Sequence, residues 1–350
     1  MRRPSRSGRL SVCISDAASY LFFRQFAISH HSFFRARCIV PCWLARSKII
    51  CAVCATAIAT VSYGQGEATS VRALFTAVRA GTRTMPAKVH FTPGKESLYL
   101  DSVQQFLQDT MPRVRAKAYE IVGMLSADAQ DNDTRTKAVD MLVTACADAA
   151  PGNAAFAIEL LTHFRRSDFS AASLDHLRTC VRNGSAPVEG AVKIVGFLGL
   201  SDLVGDIRPY AQPGNAVPVR WAALLALARL GDVTAIDDVT RRVKKFQLSD
   251  NLVYDIFPDL IYTRQRQLID ITVNVLQEDE NSCMSANPEK EVPIPCGYRI
   301  MEMLAPVIDG YPVRLEESGD IRADDYPEAL RQVRHFFSHN KNYKIRTDQY

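Results

Sequence analysis

The chain has 350 residues, 47% of them hydrophobic and 23% charged, with a formal net charge of +4. That is the composition of an ordinary soluble protein, with material for one large domain or two small ones and an ample core. The positive charge is local: residues 1–64 hold nine Lys or Arg against one acid, Asp16, so residues 65–350 carry −4. This argues against a nucleic-acid binder, whose folded domain carries a basic face.

Residues 1–43 are rich in Arg and Phe, show no helical or alternating period, and are open to being an extension upstream of the true start. Then come a short cationic stretch, Leu44-Ala45-Arg46-Ser47-Lys48, and an apolar run without a charge from Ile49 to Val61. Ser62-Tyr63-Gly64 supplies the small residues a signal peptidase reads. The run is shorter than the roughly 20 residues a membrane-spanning helix needs. An export signal cleaved before Gln65 is expected, leaving a periplasmic or secreted bacterial protein with no stable membrane span. The plainer alternative is an uncleaved amphipathic or buried helix.

Residues 65–96 read as a helix over 68–80, stopped by Gly81, and a linker. Ser97 is expected to cap a helix running through Asp109. From there a two-helix pattern repeats. Pro112 opens a helix with Val114, Ala118, Ile121, Val122 and Leu125 on one stripe, and its partner carries Ala138, Met141, Leu142 and Ala145. Pro151 opens the next pair and Pro187 the third, whose partner is a short segment over 202–210. Pro218 opens the fourth. There Val219, Ala222, Ala223, Ala226, Leu227 and Leu230 recur at i, i+3, i+4, i+7, i+8 and i+11, and after Gly231-Asp232 a second stripe holds Ile236, Val239, Val243 and Phe246. The helix-opening prolines lie 39, 36 and 31 residues apart, each in a first turn where its missing N–H is no loss. A fifth pair is expected over 250–263 and 264–277.

Neither short helix of such a pair can bury its stripe alone, so each pair needs copies of itself alongside. Val219-Arg220, the paired alanines and the Leu230-Gly231-Asp232 turn resemble a HEAT repeat of the short bacterial type. The resemblance implies an all-α chain, a right-handed α-solenoid of about five HEAT-like helix pairs over residues 97–277. Residues 278–350 then form a helical C-terminal cap containing a cysteine loop.

Five of the nine cysteines lie in the leader. Cys283 and Cys296 flank a polar loop and are expected to close it as a disulfide, worth roughly 2–4 kcal/mol in an oxidising compartment. Cys146 and Cys180 sit on apolar helical faces and read as buried thiols. No pair of C-x2-C knuckles marks a zinc site. His335 and His339 have metal-ligand spacing but lack a third ligand, so they read as surface histidines near a helix end, and His163 and His176 as a polar edge.

Two basic groups are candidate partner surfaces, Arg165 with Arg166, and Arg241, Arg242, Lys244 and Lys245. In HEAT solenoids the second helix of each pair lines the inner, concave surface, and the 241–245 group lies on such a helix with Arg242 and Lys245 turned from its apolar stripe. The plainer reading is a solvated helix end whose cations complement the helix dipole. Trp221 and Leu225, off the stripe of their helix, are expected to pack on the adjacent repeat or to offer an aromatic anchor. The predicted mature chain has no Gly-rich phosphate loop, no G-x-S-x-G elbow and no H-E-x-x-H. The expectation is an exported, noncatalytic scaffold or protein-binding module, with no cofactor or metal and another protein as partner. The alternative, carried by the same resemblance, is an enzyme or enzyme accessory, bilin lyase-like or acting on DNA bases.

Overall fold

The computed structural model describes residues 71–81, 91–278, 281–285, 292–316, 321–323 and 325–350. The expected leader and export signal lie outside them. The described residues are helical almost throughout: α1 (residues 71–80), α2 (Glu96–Gln104), α3 (Pro112–Asp128), α4 (Asn132–Ala145), α5 (Pro151–Leu161), α6 (Ala171–Asn183) and α7 (Val188–Leu198). After them come α8 (Val204–Ile207), α9 (Val217–Arg229), α10 (Val233–Val243), α11 (Phe257–Tyr262), α12 (Arg266–Gln277), α13 (Gly297–Leu304) and α14 (Tyr326–His339). A short antiparallel pair, β1 (Cys283–Met284) and β2 (Pro293–Ile294), sets Cys283 opposite Ile294. The expected all-α class is what the chain adopts.

Local chemistry explains the boundaries. Pro112, Pro151 and Pro218 sit in the first turns of α3, α5 and α9, and Pro187 stands at the cap position of α7. The side chains of Asp131, Ser170 and Asp232 accept backbone N–H groups at the starts of α4, α6 and α10, satisfying donors that have no partner within the helix. Gly184 and Gly199 close α6 and α7 in the left-handed conformation.

Packing follows chain order. α3 lies against α4 and α5, α4 against α5 and α6, and α7 against α5, α6 and α9. Beyond it α9 meets α10 and α11, α10 meets α12, and α11, α12, α13 and α14 continue the sequence of neighbours. A helix thus touches its immediate partner and the corresponding helix one pair along. Polar joints recur at fixed intervals: Arg115 donates to Asp148 and Arg135 to Asp168, each 33 residues on. Arg178 pairs with Asp202 and Arg208 with Asp232, each 24 residues on.

The core is continuous from Val71 to Tyr343, and α7 and α9 run through it. Every residue from Ala222 to Ala228 is buried, so the middle of this helix is enclosed on all sides and does not show the single stripe its spacing suggests, while Val219 of that stripe is half-buried in the first turn. Gly196 makes the closest approach possible: a Cβ there would lie 3.0 Å from the Ala226 Cα and 2.5 Å from the Tyr262 Oη.

Several expected details change. α2 begins at Glu96 with Lys95 in the cap position, so Ser97 is inside the helix. The short partner over 202–210 is a run of 3-10 turns around α8. Phe246 lies past the end of α10 and is 55% exposed, so it does not close the α10 stripe. In the fifth pair a π-helical turn, Leu252–Ile256, precedes α11, and Arg264 stands between α11 and α12 at φ +56, where it was expected to open a helix.

Candidate functional site

The ends of two helices make a groove. The start of α9 supplies Val217, Pro218, Arg220 and Trp221, the end of α10 and the turn after it supply Arg242, Lys245 and Phe246, and Ile256 of the π turn closes one side, around about 510 Å³. Val217 is 67% exposed and Phe246 55% exposed. Apolar side chains left in water beside one another mark a contact surface more often than chance exposure. Three cations and no carboxylate line the groove. Among the described residues none of the three is in an ion pair, and the Arg220 Nε is buried with no hydrogen-bond partner.

The expected basic surface divides into separate places. Arg242 and Lys245 face the groove. Arg241 turns aside to pair with Asp238 one turn back, and Lys244, also exposed, lies outside the groove. Arg165 and Arg166 lie between α5 and α6, outside it too. The Arg165 amide is held by Asp168, and the Arg166 guanidinium donates to the Phe197 carbonyl at 2.5 Å. Trp221 is half-buried, its ring in the groove and its indole N–H directed inward. Leu225 is fully buried, which fits the packing role expected of it.

Behind Trp221 lies a polar centre that pattern reading missed. The indole N–H donates to Asp259 at 2.6 Å, and the second carboxylate oxygen takes the Lys193 ammonium at 2.8 Å. The Lys193 Nζ stands 5.0 Å from the Tyr262 ring centroid, and the Tyr262 hydroxyl donates to the Lys193 carbonyl at 2.5 Å.

Next to this centre is an aromatic slot filled by the chain itself. The Tyr350 ring packs at 5.8 Å from that of Phe197 and 5.1 Å from that of Tyr262. The Arg229 guanidinium lies over both receiving rings, at 5.1 and 4.7 Å, a cation–π arrangement. Burial, with Arg166 nearby, lowers the Arg229 pKa to about 10. Burial, with Arg229 nearby, does the same to Arg264. Arg264 is also the one non-glycine residue with positive φ among the described residues, a conformation that costs roughly 1–2 kcal/mol in an L-residue. Glycine follows α6, α7 and α9 in the same conformation (Gly184, Gly199, Gly231), and arginine stands in its place after α11.

Cys283 and Cys296 are bonded, with Cα atoms 5.0 Å apart. Cys146 and Cys180 are buried free thiols. The exposed rings of His335 and His339 stack at 4.0 Å. Among the described residues no group of His, Cys, Asp and Glu is arranged to hold a metal ion, and no helix is long and apolar enough to cross a membrane. No protein-family model matches the chain, and no curated protein or solved structure does.

Proposed function

We propose that this is an exported, noncatalytic protein-binding module, a right-handed α-solenoid of HEAT-like helix pairs. Its groove between α9 and α10 takes an acidic, amphipathic segment of another protein. The succession of helix neighbours and the joints at 33 and 24 residues support the repeat architecture. The disulfide between Cys283 and Cys296 supports an oxidising compartment. The observation that carries the docking role is the groove's make-up: exposed Val217 and Phe246 beside the Trp221 ring, with Arg220, Arg242 and Lys245 around them and no acid. Aromatic residues and arginine are the usual anchors of protein interfaces, and complementary charge selects among partners.

Trp221 and Trp43 are the two tryptophans of the chain, so in a Trp43→Phe protein the indole fluorescence reports on the groove alone. A short peptide with alternating Glu and Phe is expected to shift that emission saturably, and its Lys-for-Glu counterpart is not. Arg242→Glu with Lys245→Glu is expected to weaken binding by at least tenfold, about 1.4 kcal/mol. Equal binding of both peptides, or no loss on charge reversal, would refute the docking role.

A further inference from the structure

Residues 341–350 leave α14 and run back over the turns of earlier helix pairs. The first half is anchored by side chains as well as by its main chain, Arg266 donating to the carbonyls of Lys341, at 3.1 Å, and Tyr343, and the Asp309 amide to that of Lys344. Tyr343 is buried, donates to Asp270 at 2.6 Å and packs on Phe337, and Ile345 bridges to Ile308. The second half, beyond the Arg346 amide bond to the Val307 carbonyl and an Arg346–Asp309 ion pair at 3.6 Å, is held through main-chain oxygens and one ring. Arg264 donates to the carbonyl of Arg346 at 2.9 Å and to the α-carboxylate of Tyr350 at 2.6 Å, and Arg229 donates to the carbonyl of Gln349 at 2.8 Å. The Arg166 amide donates to the Asp348 carbonyl at 3.3 Å. The side chains of residues 346–349 are exposed, and Tyr350 alone enters a slot.

What is gripped is therefore a row of main-chain oxygens, the last of them a carboxylate, plus one aromatic ring, chemistry that an extended segment ending in an aromatic residue can present. The grip is also made at a cost to the fold. Three guanidinium groups, Arg166, Arg229 and Arg264, gather at the slot, and among the described residues no carboxylate side chain forms an ion pair with any of them; Arg264 meets the Tyr350 α-carboxylate. Arg264 keeps a backbone conformation that glycine would adopt freely, as Gly184, Gly199 and Gly231 do at the matching turns. Strain kept at one turn and not at its equivalents is characteristic of a binding site.

We infer that the slot formed by Phe197, Tyr262, Arg229 and Arg264 is a second peptide-binding site, for an extended partner segment ending in an aromatic residue, and that residues 346–350 occupy it until such a segment displaces them. This site is separate from the α9/α10 groove and does not depend on the role given to that groove. Main-chain capture with one side-chain pocket is an established mode of peptide recognition.

The test uses the full chain and a fluorescein-labelled hexapeptide with the sequence of residues 345–350, followed by fluorescence anisotropy. Tyr350→Ala empties the slot and is expected to bind the probe at least tenfold more tightly than the unaltered chain. A probe with Ala for Tyr is expected not to bind. Adding Arg229→Leu to Tyr350→Ala should abolish binding, whereas adding Arg242→Glu with Lys245→Glu should leave it intact, which separates this site from the groove. Absence of binding to a Tyr350→Ala protein with unchanged circular dichroism overturns the inference, as does equal binding to both chains. If Tyr350→Ala does not fold, hydrogen exchange at residues 346–350 of the unaltered chain decides: faster exchange with excess unlabelled hexapeptide supports displacement, and an unchanged rate overturns it. A Tyr350-dependent dimer, in which the segment is exchanged between copies, would overturn it too.

Discussion

Replacing Asp259 with Ala tests the centre behind Trp221. The substitution leaves the Lys193 ammonium and the Trp221 N–H without their acceptor. Removing one member of a fully buried ion pair costs about 3–5 kcal/mol. Here the two side chains keep 24% and 18% exposure, so water rehydrates part of the ammonium, while the orphaned indole donor adds about 1 kcal/mol of its own. The net expectation is a loss of about 2–4 kcal/mol, read from urea unfolding by far-UV circular dichroism. The melting temperature should fall by about 4 °C or more. Asp259→Asn keeps an oxygen for one donor and is expected to cost about half as much. A loss below about 0.5 kcal/mol for Asp259→Ala, the range of ordinary surface changes, would refute the reasoning. So would equal losses for the two variants, which would mean the charge contributes nothing.

The Asp148 joint carries a pH dependence. Burial alone would raise its carboxyl pKa, but hydrogen bonds from Arg115, the Ala150 amide, Tyr119 and Asn153 outweigh that and hold it well below the usual range. Its stabilisation is therefore complete above the unfolded value of about 3.9 and is lost as pH falls through the depressed folded value. Acid titration of stability should show this loss below about pH 4 in the unaltered chain and not in Asp148→Asn. Gly196→Ala places a methyl group against Ala226 and the Tyr262 hydroxyl. It is expected to lower stability by about 1–3 kcal/mol despite alanine's better helix propensity, with Tyr262 displaced from its bond to the Lys193 carbonyl. Stability at or above that of the unaltered chain would show that α7 and α9 do not meet there. Reducing the Cys283–Cys296 bond should lower stability by up to about 3 kcal/mol for a loop of this size. The intact mass should rise by two hydrogens, with thiol labelling at both positions; labelling at either before reduction would count against the bond.

What could be read from the sequence was local and periodic. Prolines at first turns and aspartates at caps mark helix starts because they act on the backbone of their own neighbourhood, and Pro112, Pro151 and Pro218 stand in those turns. The pairing of Cys283 with Cys296 was legible for the same reason, both flanking one loop. Depth was harder to read. A stripe count on α9 cannot tell a helix with one buried face from one whose middle is enclosed all round, because alanine satisfies both. The slot was hardest of all. Phe197, Arg229, Tyr262 and Tyr350 come from α7, α9, α11 and the segment beyond α14, and no spacing rule connects them. Arg242 and Lys245 were legible as a face of α10, but the apolar floor beside them depends on α9 and the π turn arriving at the same place.

The carbonyl grip on residues 346–350 has a consequence for how freely that stretch can vary. Every amino acid brings the same oxygen to the Arg166 amide and the Arg229 guanidinium, so Thr347 and Gln349 can change identity with little penalty, while Asp348 sets a charge near Arg264 and Tyr350 cannot lose its ring. Tolerance and intolerance then sit side by side along five residues, and a sequence tally alone would mistake the permissive stretch for one without a task.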